Sequence, residues 1–400
     1  MKSGTLHFQL QLHLSILSLA MVFLKIWRQT AFSVFGYLSF TKAGFLIEYM
    51  CVTESDLGSG IFENWIAKSL AKIESEDEYW SLVIVDHSKN FRPEDMEVQI
   101  PGKNCIVTGA NSGIGYATAE GLAKRGATVY LICRNKEKGE AALSEIQTRT
   151  GNQNVHLEIC DLSSVNEIKS FISRFSERNV PVHVLANNAG ILEQNRVTTP
   201  EGFELNFAVN VLGTYTMTEL MVPLLEKASP DARVITVSSG GMYISPLTKD
   251  LQYSESNFNG VEQYARNKRV QVSGISSGKA LLLYIFIAQH VALTEKWAKT
   301  YENKGIGFYS MHPGWAETPG VAKSLPSFSK LFSGKLRTSE EGADTVIWLT
   351  LQPKEKLVSG AFYFDRAEAP KHLTFAGTSD SHAIIDSVVD SLHSMASLFG

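Results

Sequence analysis

The sequence predicts an α/β fold: a doubly wound parallel sheet in a single main domain, preceded by an N-terminal extension. Two observations predict it. A short apolar run, Cys105-Ile106-Val107, passes through Thr108-Gly109-Ala110-Asn111-Ser112-Gly113-Ile114-Gly115 into a stretch with helical periodicity. From about residue 102 to 260, β-rich apolar runs then alternate with helical stretches, the pattern of parallel strands joined by crossover helices.

Composition removes several function classes. The chain has 400 residues, 44% of them apolar, 20% charged, with a net charge of −4. That supports a large core and gives no reason to expect a nucleic-acid partner. The four cysteines, Cys51, Cys105, Cys133 and Cys160, are widely spaced, so neither a disulfide framework nor a zinc site is expected. The histidines show no H-E-x-x-H or other ligand spacing, and no metal is expected.

Residues 1–101 form the extension. From Thr5 to Leu24 there is no charge, and Leu14 to Leu24 is strongly apolar, closed by Lys25, Trp27 and Arg28. Roughly 20 uncharged residues suffice to span a bilayer as a helix. His7, Gln9, Gln11 and His13 fit an amphipathic helix on the main domain or on a membrane surface equally well. If the segment spans, Lys25 and Arg28 keep the main domain on the cytoplasmic side; otherwise the protein is cytosolic. A cleaved signal peptide is disfavoured, because no small-x-small site follows the run. Residues 46–87 are compositionally odd, with the acidic run Glu74 to Glu78 and a strand-like Trp80 to Val85, and suggest no function.

The main domain is expected over 102–370. Gly109 permits the tight turn after the first strand, Gly113 lets backbone approach a pyrophosphate, and Gly115 lets the helix pack close to the strand. The spacing G-x-x-x-G-x-G carries little weight alone. Next come a strand at Ala127 to Ile132, a polar helix at Asn135 to Thr150, and a strand at Asn154 to Cys160. A helix at Val165 to Arg178, a strand at Val182 to Ala186, a long helix at about Phe203 to Lys227 and a strand at Arg233 to Val237 complete the repeat. Ligands of such sheets bind at the carboxyl ends of the strands, and the polar signatures fall there. Residues 371–400 read as a C-terminal tail or helix.

The second strand ends in Cys133-Arg134 with no acidic residue at its tip. An acid there suits a free ribose 2′-hydroxyl, whereas the Arg134 guanidinium suits a 2′-phosphate, which favours NADP(H). Asp161, ending the third strand, can accept from the adenine amino group. Asn187-Asn188-Ala189-Gly190 ends the fourth, where small residues let backbone meet the ribose. Ser239 ends the strand Val234 to Val237. Tyr264 and Lys268 are four apart and share one helix face. A tyrosine can exchange a proton with a reacting carbonyl if its phenolate is stabilised, which an ammonium one turn away can do. Ser239 can hold the substrate oxygen. Asn210, followed by Gly213, marks a local irregularity of its helix and can tether a water chain to the lysine.

Taken together, Thr108-Gly109 through Gly115, Asn187 to Gly190, Asn210, Ser239, Tyr264 with Lys268, and Pro313-Gly314 with Thr318 resemble the short-chain dehydrogenase/reductase family, in that family's order, over roughly 100 to 365. Gly139-Glu140, Gly151-Asn152-Gln153-Asn154 and Val237 to Met242 are similar to its retinol-dehydrogenase-like branch. A likeness within that branch extends to Glu97 to Gly102 and Met311 to Trp315. The resemblance implies a Rossmann-type fold and an NADP(H)-dependent oxidoreductase interconverting a carbonyl and an alcohol. The substrate is then a small molecule, with a lipophilic one admitted. It implies Asn210, Ser239, Tyr264 and Lys268 as a catalytic tetrad, with Tyr264 the general acid/base. The cofactor residues implied are Gly109, Ser112, Gly113, Ile114, Gly115, Arg134, Asp161, Asn188, Ala189, Gly190, Tyr264, Lys268, Pro313, Gly314 and Thr318. Thr318 would hold the nicotinamide carboxamide. His312 is read as structural. A homodimer is implied through the helix that carries the tyrosine.

Two stretches depart from the family's pattern. Val272 to His290 interrupts that helix; an unbroken helix from Val261 to Glu302 would be about 63 Å long, too long for this domain. Gly274, Ser276, Ser277 and Gly278 would break it, and Ala280 to Ala288 is continuously apolar. Residues 46–87 are the second departure. The alternative reading is therefore a catalytically impaired nucleotide-binding protein, a variant isoform disrupted by 272–290. A serine hydrolase acting through Ser239 is excluded for want of a G-x-S-x-G elbow.

Overall fold

The computed structural model describes residues 91–240, 247–254, 258–270, 292–331, 333–371 and 382–398. The leader segment 5–24, the stretch 46–87 and the insertion 272–290 lie outside the described residues. One sheet of eight strands carries the described part, in the order β3-β2-β1-β4-β5-β6-β7-β8. The strands are β1 (Asn104–Thr108), β2 (Thr128–Cys133), β3 (Val155–Ile159), β4 (Val184–Asn187), β5 (Arg233–Val237), β6 (Gly307–His312), β7 (Phe362–Phe364) and β8 (Ala367–Ala369). All neighbours pair in parallel except β7 and β8, which form an antiparallel hairpin at one edge. The chain runs outward from β1 in both directions, so the switch point lies between β1 and β4.

Strand alternation divides the core into two layers. Ile106, Tyr130 and Ile132 face one layer, with Phe171, Phe175, Phe207, Trp297 and Phe308. Cys105, Val107, Val129 and Leu131 face the other, with Leu122, Ile146, Val346 and Leu349. Burial pushes the Cys105 thiol up to about 12 and Cys133 up to about 11, so both act as small hydrophobes rather than nucleophiles.

The helices follow their start and stop signals. α1 (Gly113–Ala123) opens from the glycine turn. α2 (Lys136–Thr150) is capped by the Asn135 side chain and ends at Gly151, whose φ is +72°. α3 (Val165–Ser176) is capped by Ser164. The long helix comprises an α turn Leu205–Phe207, a π segment Ala208–Gly213 and α4 (Thr214–Glu226). The irregularity expected at Asn210 is thus a π segment, a form often found at functional sites. Gly213 is required there, because a Cβ would sit 2.3 Å from the Leu162 carbonyl oxygen.

Beyond β5, the described residues include the helices α5 (Gly260–Val270) and α6 (Ala292–Thr300). α6 buries Leu293 and Trp297 in the first core layer, and Trp297 donates from Nε1 to Glu219 at 2.6 Å. α7 (Pro319–Ser324) and α8 (Pro326–Leu331) occupy the segment after β6, and α9 (Ser339–Leu351) begins with a Thr338/Glu341 capping box. α10 (His382–Ser397) packs Ile385, Val388 and Leu392 into the core. Residues 91–100, placed in the extension on composition, also pack here. Ile100 is buried, Arg125 donates to the Met96 carbonyl, and the Arg366 guanidinium lies over the Phe91 ring.

Candidate active site

The carboxyl ends of the neighbouring strands β1, β4, β5 and β6 lie at one edge of the sheet, where a doubly wound sheet forms its ligand crevice at the switch point. At its floor Gly109 and Gly113 take φ of +65° and +56°, the left-handed region where a side chain is strained. A Cβ on Gly109 would approach Ala189 Cα at 3.0 Å, and one on Gly115 would lie 2.3 Å from the Gly109 carbonyl oxygen. α1 therefore packs hard against the turn and β4, and no larger residue fits at Gly115. Ser112, exposed, is the N-cap of α1 but makes no side-chain cap bond. The first N–H groups of α1 are thus not capped by it. Ile114 packs near Gly342 of α9.

Thr108, quoted in the sequence motif without a role, ties the two central strands. Its Oγ1 accepts from the backbone N–H of Asn188 at 3.0 Å and of Ala189 at 2.9 Å. The Asn188 side chain donates to the Thr108 carbonyl at 2.9 Å. Gly190 brings the segment under the catalytic candidates: a Cβ there would lie 3.3 Å from both Asn210 Oδ1 and Lys268 Nζ.

Asn210, fully buried, clamps the next residue of that loop, accepting from the Ile191 N–H and donating to its carbonyl, both at 2.8 Å. Its amide also donates to Asn267 Oδ1 at 3.3 Å, which joins the π segment to α5. Nothing in the residue pattern singled out Asn267; its place beside Lys268 was the available signal.

Tyr264 and Lys268 stand on one face of α5, with Lys268 Nζ 5.6 Å from the Tyr264 ring centre. Lys268 is buried, and its Nζ donates to the Val237 carbonyl at 2.8 Å. Ser238 Oγ donates to the Lys268 carbonyl at 3.2 Å, so the end of β5 holds the lysine from both ends. Burial lowers Lys268 to about 7. Burial also raises the Tyr264 phenol above its usual value, opposed by a hydrogen bond with Ser239. The crevice therefore brings Asn210, Ser239, Tyr264 and Lys268 together.

The remaining residues lie around this centre. Arg134 is exposed directly beyond β2. Asp161 follows β3 and accepts from the Ser163 N–H at 2.9 Å. Pro313 and Gly314 follow β6, Gly314 with φ +74°. A Cβ on Gly314 would collide with the Arg337 side chain at 2.7 Å. Thr318 caps α7 by accepting from the Val321 N–H at 3.2 Å, and a Cβ on Gly113 would meet it at 3.3 Å. Thr318 thus closes over the glycine turn.

Comparison with known proteins agrees with this geometry. Residues 103–273 match the family model described as short chain dehydrogenase. The chain is 43% identical over 337 residues to dehydrogenase/reductase SDR family member 12 of Bos taurus, covering 84% of this chain and 97% of that one. The chain belongs to the short-chain dehydrogenase/reductase family. It is 35% identical to retinol dehydrogenase 11 of Homo sapiens over 67% of this chain and 79% of that protein. Among solved structures, a short-chain type dehydrogenase/reductase from Mycobacterium marinum shares the fold, with a TM-score of 0.51 and 18% identity over 66% of this chain and 94% of that one. The doubly wound sheet and the oxidoreductase class expected from sequence stand. Membership places the chain among oxidoreductases that use NAD(P)(H).

Proposed function

We propose that this protein is an NADP(H)-dependent oxidoreductase that interconverts a carbonyl and an alcohol, with Tyr264 as general acid/base. The observation that carries the reading is geometric: Tyr264 and Lys268 share one face of α5, the Tyr264 phenol is hydrogen-bonded to Ser239, and Lys268 Nζ is held on the Val237 carbonyl beside Gly190.

The crevice fits a dinucleotide. Gly109, Gly113 and Gly115 leave the backbone bare where a pyrophosphate would lie, and the α1 N–H groups and helix dipole favour an anion. Asn188, Ala189 and Gly190 offer backbone to a ribose, Asp161 an acceptor to the adenine amino group, and Arg134 a cation to a 2′-phosphate. Pro313, Gly314 and Thr318 would line the nicotinamide end. NADP(H), when bound, supplies or takes up the hydride.

The protein's own groups handle the proton. The Tyr264 phenol keeps its proton at neutral pH and can donate it to a carbonyl oxygen during reduction; alcohol oxidation would need the phenolate, which an ammonium at Lys268 would stabilise. Ser239, already hydrogen-bonded to that phenol, would hold the same oxygen. Lys268, near 7, can return a proton to the phenolate left after donation, and Asn210 would tether a water chain that reprotonates the lysine.

A lipophilic substrate is favoured by the likeness to a protein named for retinol. The extension would then hold the enzyme at a membrane, with the main domain on the cytoplasmic side. A pair assembled through α5 and α6 is the expected oligomer. A disabled nucleotide-binding module is the second reading, kept because 272–290 has no counterpart in the family's pattern. NADPH oxidation measured against a panel of aliphatic aldehydes, polyene aldehydes and cyclic ketones tests the proposal. Turnover of at least one carbonyl is expected, whereas tight NADPH binding with no turnover anywhere would favour the second reading.

A further inference from the structure

β5 and β6 pair in parallel with Val237 opposite Met311, so His312 stands level with Ser238 and its side chain reaches the segment that carries Ser239. The imidazole is buried at 3% exposure, and its Nδ1 accepts a hydrogen bond from the Gly240 backbone N–H at 3.0 Å. The Ser238 N–H donates to the Met311 carbonyl at 2.8 Å. The residues on both sides of Ser239 are therefore tied to the end of β6, one through main chain and one through this side chain.

The imidazole is itself held. It stacks on Phe364 of β7, with centroids 5.2 Å apart and planes 22° apart. The Arg337 guanidinium lies 5.1 Å from the centre of the same ring and pairs with Asp365 at 2.5 and 2.8 Å. Arg337 also packs against Gly314. An imidazole that accepts at Nδ1 carries its proton on Nε2 and is neutral. Burial, with Arg337 nearby, lowers its value to about 3, so the acceptor persists across the working pH range.

We propose that His312 is a positioning residue for the proposed reaction: its Nδ1, by accepting from the Gly240 N–H, fixes the main chain that aims the Ser239 hydroxyl at Tyr264. The inference rests on the proposed role of the Ser239–Tyr264 pair. It assigns His312 no contact with substrate and no proton to transfer. What it contributes is a rigid acceptor where a main-chain donor would otherwise be buried and unmatched.

Asn and Leu in place of His312 have nearly the same shape, and both lose the ring stack, but Asn places an oxygen where Nδ1 stood. His312→Leu should lower kcat at least tenfold below His312→Asn, with the NADPH dissociation constant within about twofold in both. Exchange of the Gly240 amide with deuterium should be at least tenfold faster in the Leu variant. Equal kcat values and equal exchange in the two variants would overturn the proposal. If either variant fails to fold, the unmodified protein decides: its His312 nitrogen resonances should show a proton on Nε2 and none on Nδ1, and a protonated Nδ1 would overturn the assignment. Loss of the proposed Tyr264 role is read separately, in Tyr264→Phe. The amide exchange and the tautomer report the His312–Gly240 contact in either case.

Discussion

Lys268 donates from Nζ to the main-chain carbonyl of Val237 at 2.8 Å, two residues before Ser239 on the same β5 segment. The lysine thus joins the tyrosine helix to the strand end that presents the serine. It makes that contact from a buried position, and its ammonium form is disfavoured.

That burial gives a pH signature. Lys268 is lowered to about 7 from a usual 10.5. Between those values the unfolded chain holds a proton that the folded chain has released, so stability rises with pH across the window, by at most about 1.4 kcal/mol per unit. Below about 7 both states are protonated and the contribution is flat. Thermal midpoints of the cofactor-free protein and of Lys268→Met should converge as pH rises from 7 to 10. Parallel curves would show that the lysine is not buried as described.

Arg134 is exposed beyond β2, where a cation can meet a 2′-phosphate without further burial. A charge-assisted pair is worth about 1.5–3 kcal/mol, or roughly tenfold to a hundredfold in affinity. Arg134→Asp should weaken NADPH binding by about that factor and leave NADH binding nearly unchanged or improved. Fluorescence titration with both cofactors checks it, and an unmodified protein that binds NADH as tightly as NADPH would contradict the assignment.

Much of this was legible beforehand because the signals are local. Three glycines at fixed spacing dictate a turn that backbone geometry alone can read, and apolar runs broken by polar helices dictate a parallel sheet. Asn210 was placed at a helix irregularity because a polar residue shortly before Gly213 strains regular packing, and the π segment is the result. Contacts between residues far apart in sequence were not legible. The Asn267–Asn210 bond spans 57 positions and the His312–Gly240 bond 72, and neither leaves a periodic trace. The packing of residues 91–100 escaped for a related reason: Ile100 is one apolar residue buried in a core layer built from segments distant in sequence.

The described residues of α5 run to Val270 and those of α6 from Ala292, each with a buried face of its own. The intervening apolar run Ala280 to Ala288 is large enough to favour aggregation or membrane contact if it stands in water. Deleting 272–290 should raise soluble yield and the thermal midpoint and restore or increase NADPH-dependent activity. A deletion variant less stable than the full chain would make the segment an integral part of the fold.

The uncharged run 5–24 makes a separate prediction. With the extension intact, the protein should sediment with membranes at low salt, and removing 1–45 should release it. Full-length protein recovered wholly in the supernatant would contradict the anchor.

The central claim is that Tyr264 transfers the proton, and one substitution isolates it. Tyr264→Phe removes a single oxygen that acts only at the reacting centre, so NADPH affinity should stay within about twofold while carbonyl-dependent NADPH oxidation falls by at least a thousandfold. Measured side by side, cofactor binding retained with turnover abolished is the predicted result; turnover within tenfold of the unmodified protein would contradict it.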